Sequence, residues 1–203
     1  MTNARETHGW VFRARFRRHA FGWRSQTAVT RVNEAVKEVK AAARSDAVLG
    51  AEGAILFLER VSPALEQVDS SSGAIGSAVN RAIDAFVPIL CRAPVDVPTR
   101  RLWLERLWQA YMDDQMPYIE ALGGAWGELC VTTELASEWA DRLIGITRIS
   151  ASDDPKLRGY FHGAVNCLSA LLAAGRHEEI LSLLELPGHA LWAYRRYGVR
   201  ALM

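Results

Sequence analysis

The chain has 203 residues, of which 50% are apolar, and its 24 basic side chains nearly balance 23 acidic ones. This length allows one large domain or a short repeat array with a substantial core. The first residues lack the apolar stretch of a signal peptide, and no apolar run approaches the roughly 18 residues of a membrane span. We therefore expect a cytoplasmic protein without a membrane segment.

Charge is distributed unevenly along the chain. Residues 1–44 contain ten basic residues and three acidic ones, a net charge of +7, so the rest of the chain carries −6 of the overall +1. Such an asymmetry is typical of a basic arm that binds nucleic acid, a membrane or an acidic partner. It also fits two halves of one molecule that attract each other.

Residues 1–24 form a basic, aromatic N-terminal segment, in which arginines are interleaved with five aromatic rings. The arginines are Arg13, Arg15, Arg17, Arg18 and Arg24. Guanidinium groups pair with phosphates and aromatic rings stack on bases, so this composition is typical of single-stranded nucleic-acid binding. Alternatively, the rings pack beneath the first helical hairpin and the arginines pair with acidic helices downstream. The charge of −6 on the rest of the chain favours this second interpretation.

From Ser25 onward, apolar residues recur every three or four positions, which is the period of a helix with one buried face. Helices are predicted in about residues 25–43, 47–61, 75–90, 103–111, 117–129, 135–146, 157–175, 177–186 and 190–203. No segment alternates apolar and polar residues as a strand does. The predicted fold is all-α, with about nine helices that pack antiparallel with their neighbours because the connections are short.

Prolines and caps mark three of the predicted helix boundaries. The second helix is apolar almost all round, and we expect it to be buried and to end at Ser62-Pro63. Met116-Pro117 is expected to begin the fifth helix. Asp154-Pro155, an N-cap followed by proline, is expected to precede the long seventh helix.

Residues 171–181, Leu-Leu-Ala-Ala-Gly-Arg-His-Glu-Glu-Ile-Leu, resemble the junction between the two helices of a tetratricopeptide repeat. In that family a small turn residue, here Gly175, follows helix A, and an acidic pair, here Glu178-Glu179, opens helix B. The whole chain resembles a bacterial family of helical-repeat proteins, some of which carry a SWIM-type zinc finger. The Cys-x-Cys and Cys-x-His pairs of that finger do not occur in this chain.

The resemblance implies an α-solenoid, which is a right-handed stack of helical hairpins. It also implies the usual function of that family, which is to act as a scaffold between proteins. Residues 25–150 are predicted as a helical-hairpin domain, and residues 151–203 as tetratricopeptide-like helices of an array that is cut off before the next helix. The last helix then presents Trp192, Val199 and Leu202 uncovered. Because repeat arrays bury each apolar face on the next unit, we expect a protein partner or a second copy of the chain to dock there.

The core is predicted to hold the tryptophans that lie at or near helical spacing, namely Trp103, Trp108, Trp126, Trp139 and Trp192. Alternatively, one group of aromatic and methionine side chains lines a groove for a partner helix, because such side chains are enriched at interfaces. This group comprises Trp108, Tyr111, Met112 and Met116.

Residue types that carry catalysis do not occur at active-site spacing. The five histidines form no His-x-x-x-His pair, the three cysteines form no Cys-x-x-Cys pair, and His162 lies five residues before Cys167. We therefore predict no catalytic, cofactor-binding or metal-binding residue and no enzymatic activity. The predicted function is a helical-repeat module that binds another protein, and the alternative is nucleic-acid binding through the N-terminal segment.

Overall fold

The computed structural model describes residues 8–203, and 71% of them are helical, with no strand in that range. The predicted all-α class is confirmed. The α-helices of the described residues are α1 (Val11–Arg15), α2 (Ser25–Ser45), α3 (Ala47–Leu65), α4 (Ala74–Arg92), α5 (Val97–Met112), α6 (Trp126–Cys130), α7 (Thr133–Ser150), α8 (Ala164–Ala173), α9 (His177–Leu184) and α10 (Trp192–Ala201). Their number is ten where the sequence predicts about nine, because α1 lies within the N-terminal segment.

The chain forms two compact units, one ending at Ala121 and the other spanning Leu122–Met203. Of the predicted segment 1–24, residues 1–7 lie outside the described residues, and residues 8–24 belong to the first unit. The predicted domain boundary at residue 150 falls inside the second unit, where α7 packs extensively on α8.

Helix α3 is the centre of the first unit because it is apolar on nearly every side. It contacts α1, α2, α4 and α5. A single residue, Asp46, separates it from α2, so the two helices form a tight hairpin. The Asp46 carboxylate caps α3 by accepting hydrogen bonds from the amide nitrogens of Val48 and Leu49, at 2.9 and 3.0 Å.

The prediction that this helix ends at Ser62-Pro63 is wrong, because α3 continues to Leu65 with Pro63 inside it. A proline within a helix removes one backbone hydrogen bond. Here Val61 and Leu65 are both fully buried on either side of it, and the free energy of burying these side chains offsets that loss.

The aromatic rings of the N-terminal segment pack on α3. Four of the five rings are buried, namely Trp10, Phe12, Phe16 and Phe21. The centroid of the Phe16 ring lies 5.3 Å from that of Phe57 in α3. The Trp10 ring lies directly on Gly53, which has no side chain to keep it away. The rings therefore pack beneath the first helical hairpin, as the second interpretation of this segment predicts.

Helix α4 is, among the described helices, the one long and apolar enough to cross a membrane by length and composition. The sequence analysis found no such stretch, because two charged residues interrupt the apolar run. In the first unit α4 packs on α2 and α3, and its apolar stripe is buried. The stripe consists of Ile75, Val79, Ile83, Phe86 and Leu90. Burial within the unit therefore accounts for the apolar character of this helix.

Two of the predicted helices are shorter than expected because side chains bind nearby backbone. Helix α8 begins at Ala164 and not near residue 157. Before it, the Asp154 carboxylate accepts a hydrogen bond from the Lys156 amide at 2.9 Å, which makes a turn. Similarly, the buried Asp114 carboxylate accepts from the Ile119 amide at 2.7 Å, and only a 3₁₀ helix, Glu120–Ala125, precedes α6.

Helix α8 is the core of the second unit and contacts α6, α7, α9 and α10. It ends in a Schellman motif, in which Gly175 adopts a φ of +70°. The amide of Arg176 donates to the Leu171 carbonyl at 2.9 Å, and the amide of Gly175 donates to the Leu172 carbonyl at 3.1 Å. The chain thus reverses within a few residues, and α9 returns along α8 as a helical hairpin.

Replacing Gly53 by alanine should destabilise the first unit, because the added methyl group would overlap the Trp10 ring. We expect the free energy of unfolding to fall by about 1–3 kcal/mol, measured by urea denaturation followed by circular dichroism. Gly76→Ala is the matched control, since Gly76 is a helical glycine of the same unit with open space around its Cβ position. Alanine there should be neutral or stabilising by up to about 1 kcal/mol. An equal loss in both variants would contradict the Trp10 contact.

Replacing Arg176 by glutamine should destabilise the second unit in a pH-dependent way. Hydrogen bonds from Arg176 lower the pKa of the Glu179 carboxyl. A carboxyl with a lowered folded-state pKa adds stability above its unfolded pKa, about 4.3 for glutamate, and loses it as the pH falls through the folded value. The difference in Tm between wild type and variant should therefore be largest near pH 7 and shrink below about pH 4. Arg195→Gln, the same loss of charge at an exposed site on α10, should show no such dependence.

Candidate functional site

Two of the five candidate arginines pair with acidic residues of their own chain. Arg15 Nη1 lies 2.9 Å from a carboxylate oxygen of Glu34 in α2. Arg18 Nη2 lies 3.0 Å from a carboxylate oxygen of Glu66. Because both pairs are partly exposed to solvent, they contribute little to stability. Their pairing counts against a role for these two side chains in binding phosphates.

The other three candidate arginines, Arg13, Arg17 and Arg24, are exposed, and no carboxylate of the described residues lies at ion-pair distance from them. Arg13 and Arg17 line a cavity of about 330 Å³ in the first unit. Arg60 of α3, which is half-buried, lines the same cavity. Arg60 was not among the arginines predicted from the sequence to bind phosphate.

The spacing of Arg60 from Gly53 in the sequence indicates which face of α3 it occupies. The two residues are seven positions apart, which places them on the same face of α3. That is the face on which the Trp10 ring lies. Recognising the site therefore requires knowing that the N-terminal segment docks on this face of α3, which is a tertiary contact.

Of the five aromatic rings in the N-terminal segment, Trp23 is the exposed one, at 72% of its surface. The other four are committed to the core and cannot stack on bases. The structure therefore separates the arginines from most of the rings that the nucleic-acid interpretation would combine with them.

A second cavity of about 660 Å³ adjoins the first, and the two share His8, Trp10 and Arg13. Its far part is lined by the carboxylates of Glu52 and Asp96 and by Arg106. Apolar side chains of Val48, Leu56 and Val95 line the remainder. Together the two cavities form a groove that is lined by arginines at the first cavity and by Glu52, Asp96 and Arg106 at the second. We call this surface the N-terminal groove.

Arg106 of α5 is held between two carboxylates of α3. Its Nε and Nη2 donate to Glu59 at 2.7 and 3.0 Å, and its Nη1 donates to Glu52 at 2.7 Å. Burial alone would lower the pKa of Arg106, but the hydrogen bonds to Glu59 and Glu52 outweigh burial and raise that pKa above its usual range. The indole nitrogen of Trp103 also donates to Glu52, at 2.6 Å. These contacts fasten α5 to α3 and fix the far wall of the N-terminal groove.

The outer face of α10 exposes the residues that the sequence predicts to be uncovered. Trp192, Val199 and Leu202 have 70%, 49% and 75% of their surface exposed. The inner face holds the buried Tyr197 and Gly198, with Gly198 close to a side-chain methyl group of Leu184 in α9. One side of α10 thus packs against α9, and the other side exposes apolar side chains.

Arginines border this apolar face, and α10 contains no carboxylate. The guanidinium groups of Arg196 and Arg200 lie 5.1 and 6.0 Å from the centroid of the Tyr197 ring. Cation–π contacts of this kind hold a guanidinium group over a ring. The outer face of α10 is therefore both apolar and basic.

The tryptophans Trp103, Trp126 and Trp139 lie in the core, as predicted, whereas Trp108 is half-buried and Trp192 is exposed. The alternative partner groove is not one continuous surface. Tyr111 is fully buried, with Trp108 stacked on it at a centroid distance of 6.0 Å. The two methionines of that group are exposed.

Chemistry at the cysteines is limited by burial. Cys130 and Cys167 are buried thiols. Burial raises the pKa of Cys167 to about 11, which keeps the thiol protonated at neutral pH and weakens it as a nucleophile. In the part of the chain that the structure describes, no group of three or more His, Cys, Asp or Glu side chains could hold a metal ion.

Comparison of this chain with protein-family models, with curated proteins and with solved structures found no match. The resemblance of residues 171–181 to a tetratricopeptide-repeat junction therefore rests on the residues themselves. The described residues offer two candidate binding surfaces, the N-terminal groove and the outer face of α10.

Proposed function

We propose that this chain is a helical-repeat module that binds another protein, and that it has no catalytic activity of its own. The observation that carries the proposal is the outer face of α10, where Trp192, Val199 and Leu202 are exposed together. Large apolar side chains exposed side by side on one helix face mark interfaces, whereas single exposed ones do not.

The pattern of helix packing supports a repeat architecture. In each unit, the helices that pack extensively on one another are neighbours or next neighbours in the chain. Such local packing is typical of helical-repeat proteins, in which each repeat contacts only the adjacent ones. The α8–α9 hairpin, with Gly175 at its turn, supports the tetratricopeptide-like part of the proposal, a right-handed stack of hairpins.

The partner of the α10 face is either a second copy of the chain or a different protein, and the chemistry of the face narrows the choice. A different partner would present an apolar stripe bordered by carboxylates, to match Arg195, Arg196 and Arg200. A second copy would pair α10 with itself about a two-fold axis, the commonest arrangement in soluble oligomers. The cysteines, which form no disulfide within the described residues, fit the cytoplasmic location that we propose for either complex.

Changing Trp192 and Leu202 together to glutamate should abolish binding at this face and leave the fold intact, because both side chains are largely exposed. If the wild-type chain dimerises, sedimentation velocity should show a dimer for wild type and a monomer for the double variant, with unchanged circular dichroism. Leu157→Glu with Tyr160→Glu is the matched control, since these side chains are also exposed in the second unit. The control should sediment as wild type does.

A monomeric wild type would exclude the second copy and leave the other partner to a crosslinking experiment. A photo-crosslinking amino acid at position 192 should then give one discrete protein adduct in cells, and the same amino acid at position 160 should not. Equal labelling from both positions, or none from position 192, would refute the α10 face as the docking site.

Nucleic-acid binding is the second candidate function, and the exposure of Arg13, Arg17 and Arg24 favours it. If these arginines contact phosphates, the affinity for single-stranded RNA should fall steeply with salt concentration, because each contact releases condensed counterions. Neutralising all three to glutamine should reduce the logarithmic salt slope by about 2, at roughly 0.7 per contact. Neutralising the paired Arg15 and Arg18 should leave the slope nearly unchanged. Undetectable binding at low salt would end this candidate.

A further inference from the structure

Three arginines of the N-terminal groove line one cavity. Arg13, Arg17 and Arg60 all line the cavity of about 330 Å³, together with the Trp10 ring. Within the described residues, no carboxylate lies at ion-pair distance from any of the three. Arg60 is half-buried, so its charge is less well screened by water than that of an exposed arginine.

Other arginines of the same unit do have acidic neighbours. Arg15 and Arg18 each contact one glutamate, and Arg106 contacts two. Carboxylates of this unit thus pair with other arginines, and none of the described ones lines this cavity. Like charges that converge on a cavity repel one another, and a bound anion relieves the repulsion. The positively charged lining of this cavity therefore favours an anionic group.

The rest of the groove restricts what can carry that anionic group. Asp96 lines the adjoining cavity, where the Glu52 carboxylate is already paired with Arg106. Hydrogen bonds from the Thr99 side chain and amide lower the pKa of Asp96. The groove thus presents arginines at one cavity and the Asp96 carboxylate at the other. A polynucleotide, which is negative throughout, would meet repulsion at the far end, whereas a peptide of mixed charge would not.

We propose that the N-terminal groove binds an extended peptide of a partner protein that carries a phosphorylated side chain. The phosphate lies among Arg13, Arg17 and Arg60, and a lysine or arginine of the same peptide lies against Asp96. Apolar side chains of the peptide contact Val48, Leu56 and Val95, which line the same cavity as Asp96.

The choice of phosphate over carboxylate follows from the number of donors. Each guanidinium group offers a fork of N–H donors, and three such groups exceed what one carboxylate with two oxygens and a single charge can use. A phosphate monoester carries three terminal oxygens and a charge near −2 at neutral pH, and pairs of arginine with phosphate are frequently bidentate. This site rests on the proposed role in binding other proteins, but it uses a surface separate from α10.

The ligand for the test is a peptide library with phosphoserine fixed at the centre and randomised positions on both sides. An identical library with serine at the centre is the comparison. Wild-type protein at near-physiological salt should retain the phosphoserine library at least about tenfold better than the serine library. Sequencing of the retained peptides should show lysine or arginine selected on one side of the phosphoserine.

Two sets of variants separate the site from general charge attraction. Arg13→Gln, Arg17→Gln and Arg60→Gln together should abolish the preference for phosphoserine, while circular dichroism remains that of the wild type. Arg15→Gln, Arg18→Gln and Arg24→Gln together remove the same charge and should keep the preference within about twofold. Asp96→Asn preserves the N-cap of α5, because asparagine caps as well as aspartate does. It should lose the selection for lysine or arginine and keep that for phosphoserine.

Three results would overturn the proposal. The first is equal retention of both libraries by the wild type, which includes no retention of either. The second is an equal loss of preference in the two triple variants. The third is binding of a randomised single-stranded RNA at the same salt that the Arg13, Arg17 and Arg60 variant loses, which would make the groove a nucleic-acid site. The α10 double-glutamate variant should select the same peptides as wild type, so failure at α10 and failure at the groove are distinguishable.

Discussion

The first unit depends on one constraint, which is that α3 is apolar on nearly every side and must be covered all round. Helices α2, α4 and α5 cover part of it, and the N-terminal segment covers another part. Gly53 removes the side chain that would otherwise hold the segment away, and Phe57 supplies the ring on which Phe16 packs. A segment whose composition is typical of an arm for nucleic acid is thereby drawn into the core. Its arginines are then displayed in positions that this packing determines.

Burial of the rings also decides which arginines are neutralised. With Phe12 and Phe16 directed inward, Arg15 reaches Glu34 on α2, and Arg18 reaches Glu66 beyond the end of α3. Arg13 and Arg17 line the cavity that Arg60 also lines, where no described carboxylate reaches them. Glu52 and Glu59 form ion pairs with Arg106 of α5. The excess positive charge of the N-terminal segment is therefore only partly compensated within the first unit, and the uncompensated part is concentrated at one end of a groove.

The helices were predictable from sequence wherever a long apolar period of three and four residues coincided with burial, as in α2, α4 and α7. Prediction failed where a single side chain controls the backbone. Asp154 makes a local turn and delays α8, and Asp114 holds the loop before α6 through a buried hydrogen bond that no local pattern reveals. Pro63 was expected to end α3, but burial on both sides outweighs one missing hydrogen bond. The exposure of Trp192, Val199 and Leu202 was predicted from the resemblance to a repeat array and not from the helical period. The grouping of the cavity arginines was not predicted, because Arg60 joins Arg13 only through a contact between residues far apart in the chain.

The net charge of +1 hides two cationic surfaces that arise by different physical means. At the N-terminal groove, no described carboxylate lies at ion-pair distance from the arginines of the first cavity, and Glu52 and Glu59 bind Arg106. On α10, three arginines occur in a helix without a carboxylate, and the buried Tyr197 ring holds two of them by cation–π contacts, which need no anion. Surfaces of this kind speed the approach of acidic partners and select among them more than they add affinity. The apolar side chains beside each cationic patch, Leu56 in the groove and Trp192 on α10, would supply the affinity once such a partner has docked.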